Sequence, residues 1–106
     1  MESKYCVTCN ADVVKVELVG RLDATNAEGL QADLKKFAGQ KVAKLVFLAK
    51  DLEYISSAGL RVIIFAKQKI GVEAAVYLIA AQEPIVNVVK MSGLDNFLIL
   101  QDSFTD

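Results

Sequence analysis

The sequence KLVFLAKDLEYISSAGLRVIIFAKQKIG, from Lys44 to Gly71, contains the clearest change of pattern in this chain. Lys44 to Ala49 is a short apolar run bounded by charges, which is typical of a strand buried on both faces of a sheet. From Leu60 to Ile70 the apolar residues follow a helical period instead, and Gly71 is a suitable stop. A strand, a polar loop and a helix in this order predict one unit of an α/β fold.

Strands and helices alternate on both sides of this stretch. Further strands are predicted at Tyr5 to Thr8, Asp12 to Val19, Ala74 to Ala80 and Phe97 to Leu100. Further helices are predicted along the apolar stripe Ala27, Leu30, Leu34 and Phe37, and from Pro84 to a stop at Gly93. The order β-β-α-β-α-β-α-β predicts a four- to five-stranded mixed sheet, mostly parallel, that opens with a β-hairpin and packs against three to four helices.

The length and composition predict a single domain over residues 1–106. Apolar residues make up 54% of the chain and there is one proline, which argues against disorder. The formal net charge of -1 gives no basic field, so we expect neither nucleic acid nor a membrane as a ligand. No apolar run reaches the ~20 residues that span a bilayer, and the opening MESKYCVTCN does not resemble a signal peptide. We therefore expect a cytoplasmic protein.

Residue usage also limits the possible chemistry. The chain has no histidine, which removes His-based catalytic triads and His-ligated zinc sites. Cys6 and Cys9 form a C-x-x-C, which would fit a redox pair or half of a metal site. The stretch has the pattern of a strand, however, in which residues three apart point to opposite faces, so structural cysteines are the favoured interpretation. We expect no metal and no cofactor.

Ser56 and Ser57 lie where the strand-exit loop becomes the helix. A hydroxyl at this position can cap the helix by accepting a hydrogen bond from a backbone N–H. The position is also at the positive end of the helix dipole, which tolerates added negative charge. The two serines therefore fit two hypotheses, an ordinary N-cap and a site for a negatively charged group.

The helix after these serines is apolar on nearly all sides. One stripe consists of Leu60, Ile63 and Ile64, and a second consists of Val62, Phe65 and Ala66. Only one stripe can pack on the sheet. The other is expected to meet either the helix that starts near Pro84 or a partner protein.

The first predicted helix has two candidate caps. Thr25 and Glu28 fit a T-x-x-E capping box, in which the two side chains bond each other's backbone N–H groups. Asn26 is a competing cap, and the sequence leaves both open.

Three motifs resemble the STAS domain family, and in particular its anti-sigma factor antagonists. Y-I-S-S-A-G-L-R-V, from Tyr54 to Val62, is similar to the family signature that precedes an aliphatic helix. L-V-G-R-L-D-A-T-N-A-E-G-L, from Leu18 to Leu30, resembles its strand-to-helix element, with Asp23 at the acidic position. E-P-I-V-N-V-V-K-M-S-G-L, from Glu83 to Leu94, resembles its late helix. The motifs occur in the family's order and spacing over essentially the whole chain, which implies the STAS fold.

The resemblance implies a protein-binding switch. Ser57 aligns with the family's phosphoacceptor, and Ser56 is the less favoured alternative. Gly59 would let the partner's backbone approach closely, and Leu60 would anchor the helix. The implied partner surface consists of Asp23, Thr25, Asn26, Ser56, Ser57, Ala58, Gly59, Arg61, Val62 and Phe65.

The resemblance also implies the partners of a bacterial transcription regulator. The unphosphorylated protein would hold an anti-sigma factor that is also a serine kinase of the histidine-kinase-like ATPase fold, and would so free a sigma factor. Phosphorylation would break the complex, and a metal-dependent serine phosphatase would restore it. A phosphate adds about -1.5 to -2 charges. Asp23, Asp51 and Glu53 are expected to be nearby acids that raise the negative potential further.

Two positions, Leu48 and Ser56, depart from the family pattern. Many members carry Asp or Asn where Leu48 stands, and some carry Asp where Ser56 stands; those acids are expected to help position the acceptor hydroxyl.

An alternative function is a STAS scaffold or accessory subunit of a transporter or signalling complex that is never phosphorylated. An enzyme with Ser57 as nucleophile would need a base such as Lys50 or Lys67 and an oxyanion motif, so we expect no catalytic activity.

Overall fold

The computed structural model describes residues 3–70 and 74–104. Its strands are β1 (Lys4–Asn10), β2 (Val13–Leu22), β3 (Lys44–Ile55), β4 (Ala75–Ile79) and β5 (Ile99–Gln101). Its α-helices are α1 (Ala27–Lys35), α2 (Ser57–Lys69) and α3 (Glu83–Met91), and a 3₁₀ turn (Leu94–Asn96) precedes β5. None of these described helices is long and apolar enough to cross a membrane. The stop predicted at Gly71 lies outside the described residues.

The five strands form one sheet in the order β1-β2-β3-β4-β5. β1 and β2 are antiparallel and form the predicted hairpin, with Ala11 in the turn at a φ of 57°. The other three neighbouring pairs are parallel, and each is joined through one of the helices. The predicted order of elements and the mixed, mostly parallel sheet are therefore confirmed.

The three helices cover one face of the sheet. The alternation predicted for β2 is confirmed, because Val14, Val16 and Leu18 are all buried on this face. They belong to one apolar cluster with the inward residues of the helices, which include Leu30, Leu34, Ile63, Ala66, Ile85 and Val89. Burial of this apolar area is the main term that holds the helices on the sheet.

The opposite face, which we call the helix-free face, is covered at its centre by the end of the chain. Val46 of β3 is fully buried on this face, as expected for a strand buried on both sides. Its neighbours across the sheet are Lys15 on β2 and Tyr77 on β4. The ring of Phe104 lies 5.1 Å from the Tyr77 ring and 5.5 Å from Nζ of Lys15. Phe104 therefore lies over the row that contains Val46.

The surroundings of α2 differ from the prediction. β3 continues to Ile55 and α2 begins at Ser57, so the predicted loop between them shrinks to Ser56. Val62 and Ile63, which were assigned to different stripes, are both buried, because the sheet and α1 contact adjoining sides of the helix. The main helical neighbour of α2 is α1, not the helix near Pro84 that was predicted.

Candidate functional site

The carboxyl ends of β2 and β3 lie side by side at one end of the sheet. Leu22 pairs with Ile55, and the backbone N–H of Ser56 donates to the carbonyl oxygen of Leu22 at 2.9 Å. Segments that follow neighbouring parallel strands emerge at the same end of a sheet, where α/β proteins commonly bind their ligands. The structure therefore brings together the loop that begins at Asp23 and the start of α2.

Ser56 is the N-cap of α2. Its Oγ accepts a hydrogen bond from the N–H of Gly59 at 3.3 Å, and its carbonyl oxygen accepts one from the N–H of Leu60 at 2.9 Å. Ser57 is the first residue of the helix and is exposed. The N-cap hypothesis is therefore confirmed for Ser56, and Ser57 is left exposed.

Gly59 is buried against the ends of β2 and β3. A Cβ atom at this position would lie 2.7 Å from the carbonyl oxygen of Leu22 and 2.8 Å from Cγ1 of Ile55. The close contact that requires glycine at this position is therefore an intramolecular one, between α2 and the ends of β2 and β3. This corrects the prediction that Gly59 admits a partner's backbone, because a buried residue offers little surface to a partner.

The loop from Asp23 to Asn26 is held by its own polar groups. The N–H of Asp23 donates to Oδ1 of Asn26 at 2.9 Å, and the N–H of Ala27 donates to the carbonyl oxygen of Asp23 at 2.8 Å. The hydroxyl and the backbone N–H of Thr25 donate to Oδ1 of Asp23 at 2.5 and 3.0 Å. The Thr25 hydroxyl, then its N–H, and to a lesser degree Arg21 hold the pKa of the Asp23 carboxyl below its ordinary value.

Asn26 occupies the N-cap position of α1, but its side chain does not cap the helix. The side chain of Asn26 instead donates to the carbonyl oxygen of Arg21 at 2.8 Å. The capping box predicted from Thr25 and Glu28 is wrong, because the Thr25 hydroxyl bonds to Asp23. These polar side chains fix the shape of the loop.

A groove of about 210 Å³ lies between α1 and α2. Its lining residues are Ala24, Ala27, Glu28, Gln31, Ala58, Arg61 and Val62. Arg61 is exposed and lies one helical turn after Ser57, while Glu28 is exposed on α1. The groove therefore combines small apolar side chains with one cation and one anion.

Two predicted partner residues lie further inside than expected. Val62 is only 1% exposed, and Phe65 is half-buried against the core. Both turn inward because α2 contacts the sheet on one side and α1 on the next. The remaining predicted residues at this end of the sheet are at least partly exposed, namely Asp23, Thr25, Asn26, Ser56, Ser57, Ala58 and Arg61.

Asp51 and Leu48 lie along β3, away from Ser57. Asp51 is exposed on β3, five residues before Ser56. That Asp51 raises the negative potential at Ser57 stays a prediction. Leu48 lies further back and lines a separate cavity of about 310 Å³ with Asp51 and Glu17. It is too far from Ser57 for the residue at this position to orient the hydroxyl.

Several residues at this end of the sheet were not found from the sequence. Glu28 and Gln31 are spaced three apart on α1, a helical repeat that could have identified this side of the groove, and Ala24 lies in the turn before the helix. Arg21 and Tyr54 pair across β2 and β3, and the guanidinium carbon lies 4.3 Å from the ring centroid. That pairing depends on strand register, for which the sequence offers no local signal.

The C-x-x-C lies on a strand, as predicted. Cys6 and Cys9 are both exposed free thiols on β1. Within residues 3–70 and 74–104, no group of three or more His, Cys, Asp or Glu residues is arranged to hold a metal ion.

Comparison with known proteins gives one family and a consistent set of folds. The model of the STAS domain matches residues 5–106 of this chain. No curated relative matches the sequence. An anti-sigma factor antagonist from Mycobacterium paratuberculosis superposes with a TM-score of 0.82 at 20% identity, over 97% of this chain and 88% of that chain.

Two structures of the anti-sigma factor antagonist SpoIIAA are also similar. The unphosphorylated form has a TM-score of 0.78 at 15% identity, over 95% of this chain and 90% of that chain. The phosphorylated form, from Bacillus, has a TM-score of 0.74 at 18% identity, over 92% of this chain and 90% of that chain. At these identities the likeness is one of fold.

Proposed function

Because this chain belongs to the STAS domain family, we propose that it is an anti-sigma factor antagonist whose binding is switched by phosphorylation of Ser57. The similar structures support this proposal, since they include proteins named anti-sigma factor antagonists, one of them in its phosphorylated form. The fold alone serves many functions, so the function of this chain depends on the residues of the site.

The observation that carries the proposal is the unequal environment of the two serines. The half-buried Ser56 uses its hydroxyl to accept the N–H of Gly59, whereas Ser57 is exposed. A kinase requires an accessible hydroxyl. Loss of the cap at Ser56 would also cost about 1 kcal/mol of stability. Ser57 is therefore the phosphoacceptor in this proposal.

The first turn of α2 can accept a phosphate without refolding. The N–H of Ser56 is bonded to Leu22 and the N–H of Gly59 to the Ser56 hydroxyl, so the N–H groups of Ser57 and Ala58 are the helix-end donors left over. These donors and the positive end of the helix dipole favour the roughly -1.5 to -2 charges of a phosphate at neutral pH.

Phosphorylation would change the surface offered to a partner. The phosphate would stand beside the groove between α1 and α2 and near the Asp23 loop, where its bulk and charge hinder an acidic partner. A difference of about 3 kcal/mol between the two forms lowers affinity more than a hundredfold. The proposed partner is an anti-sigma factor with serine kinase activity of the histidine-kinase-like ATPase fold, and a metal-dependent serine phosphatase reverses the modification.

The test is the intact mass of the protein isolated from its own cells, with peptide mapping around Ser57. We expect a species heavier by one phosphate, carried on Ser57 and removed by a phosphatase. The variant Ser56→Ala keeps the acceptor and should still be modified, whereas Ser57→Ala should not. Unmodified protein under every growth condition would contradict the switch and favour an unphosphorylated STAS scaffold or accessory subunit.

A second measurement tests whether the switch acts at the surface. The two forms should have the same far-UV circular dichroism but different affinities for the kinase. Equal affinities of the two forms would contradict the proposal even if Ser57 is phosphorylated.

A further inference from the structure

We propose that Arg61 is the internal partner of the Ser57 phosphate, and that phosphorylation alters the groove between α1 and α2 through this residue. The inference rests on the proposed phosphorylation of Ser57. It adds a residue and a mechanism to that modification.

The two residues lie on the same side of α2. Ser57 and Arg61 are four residues apart in a helix whose first turn closes with the 2.9 Å bond from the N–H of Leu60 to the carbonyl oxygen of Ser56. Side chains at this spacing have Cβ atoms about 5–6 Å apart, and an acid placed four residues before a base is the favourable order. Both side chains are exposed, so the pair can form without moving the backbone.

Arg61 forms no ion pair with an acid among the residues that the structure describes. The ion pairs that the structure gives among residues 3–70 and 74–104 join Arg21 to Asp23 and Lys36 to Asp33. The carboxylate of Glu28, on the other side of the groove, does not pair with Arg61 within this part of the chain. The guanidinium group is thus available, and its planar fork of donors matches the oxygens of a phosphate.

The other cations near the site are less suitable. Nε of Arg21 lies 3.4 Å from Oδ2 of Asp23, and its guanidinium carbon lies 4.3 Å from the centroid of the Tyr54 ring. Lys67 follows Ser57 by ten residues, which is about 15 Å along a helix, and it lines a different groove with Phe97. Arg61 is therefore the cation that the phosphate would engage.

Pairing with Arg61 would let the phosphate change the charge of the groove between α1 and α2. Arg61 and Glu28 are the two charged residues that line the groove between α1 and α2. When the guanidinium turns towards Ser57, the groove loses its cation and retains the anion of Glu28. The net charge of the groove lining then changes from about zero to negative while the helices stay in place.

The experiment places phosphoserine at position 57 by genetic encoding and follows its second ionisation by ³¹P NMR as a function of pH. Arg61→Gln should raise the pKa of the phosphate by about 0.5 unit, because an exposed opposite charge nearby favours the dianion. Arg61→Lys should retain part of the effect as a point charge. The difference should shrink in 1 M salt, where the screening length is about 3 Å. Arg21→Gln is the matched control and should leave the pKa unchanged.

Identical titrations of the parent and Arg61→Gln proteins would overturn the inference, as would a larger shift in Arg21→Gln. Circular dichroism checks that each variant is folded, which is expected because both arginines are exposed. The phosphate is installed without the kinase, so this outcome is independent of the mass analysis. Absence of phosphate in native protein would remove the proposed function while the pairing could still be measured.

Discussion

The backbone N–H of Ser56 donates a 2.9 Å hydrogen bond to the carbonyl oxygen of Leu22. This bond joins the start of α2 to the end of β2, one residue before Asp23. It therefore fixes the distance between the exposed hydroxyl of Ser57 and the rigid Asp23 loop. A partner that contacts both the Asp23 loop and the start of α2 would bind a surface that is already ordered. Less conformational entropy is then lost on association.

The packing beneath this junction should tolerate no side chain at Gly59. Gly59→Ala would place Cβ 2.7 Å from the carbonyl oxygen of Leu22 and 2.8 Å from Cγ1 of Ile55. The overpacking should lower the free energy of unfolding by about 1–3 kcal/mol, more than the helix propensity of alanine returns. Urea denaturation measures the difference.

Gly29→Ala is the matched control for that variant. Its Cβ would meet only the end of the flexible Tyr5 side chain, with the hydroxyl oxygen at 2.6 Å. Tyr5 can turn aside, so this variant should be neutral or more stable by up to about 1 kcal/mol. Equal destabilisation by the two substitutions would refute the role assigned to the Leu22 carbonyl.

Substitution of Ser56 should lower stability, whereas substitution of Ser57 should leave it nearly unchanged. Ser56→Ala removes the acceptor for the N–H of Gly59 and should lower the free energy of unfolding by about 1 kcal/mol. Ser57→Ala alters an exposed hydroxyl and should change stability by less than about 0.5 kcal/mol. Thermal or urea unfolding of the unphosphorylated proteins tests this, and a larger loss in Ser57→Ala would contradict the assignment of the cap.

The pKa of Asp23 should depend on the Thr25 hydroxyl. Thr25→Val removes the largest cause that lowers this pKa, so the value should rise towards the ordinary 3.8. Thr25→Ser keeps the hydroxyl and should leave the pKa low. NMR titration of the Asp23 carboxyl carbon compares the three proteins, and an unchanged pKa in Thr25→Val would contradict the assignment.

The same shift predicts how acid affects stability. The folded pKa of Asp23 is lower than the unfolded one, so the unfolded chain binds more protons between the two values. The stabilising contribution is therefore complete above about pH 4 and is lost as the pH falls through the folded pKa. Thr25→Val should lose less stability than the parent in this window, and Asp23→Asn should lose none through this group. Urea midpoints measured across the window would show a steeper slope for Thr25→Val if the sign were wrong.

Phe104 should stabilise the helix-free face. Phe104→Ala would expose Val46 and remove the edge contact with Tyr77, which should lower the free energy of unfolding by about 1–2 kcal/mol. Met91→Ala removes an apolar side chain that is 88% exposed and should cost less than about 0.5 kcal/mol. Equal urea midpoints for the two variants would show that Phe104 does not cover the sheet in solution.

The order of strands and helices, and the position of the serine pair at a helix start, could be predicted from the sequence. The alternation of Val14, Val16 and Leu18 and the helical spacing of Leu30 and Leu34 are local patterns, because each reflects one element facing one core. The S-S-A-G-L motif placed Ser57 at a helix start for the same local reason, and the structure begins α2 at that residue.

The contacts between those elements, in contrast, could not be predicted from the sequence. The sequence could not show that α2 packs against α1, or that Gly59 lies against the Leu22 carbonyl, because both are contacts between segments distant in the chain. The position of Phe104 against Tyr77 and Lys15 likewise follows from strand register and chain path. A local period specifies which side of an element is apolar, whereas long-range packing selects its neighbour, since several apolar surfaces of similar size compete for each face.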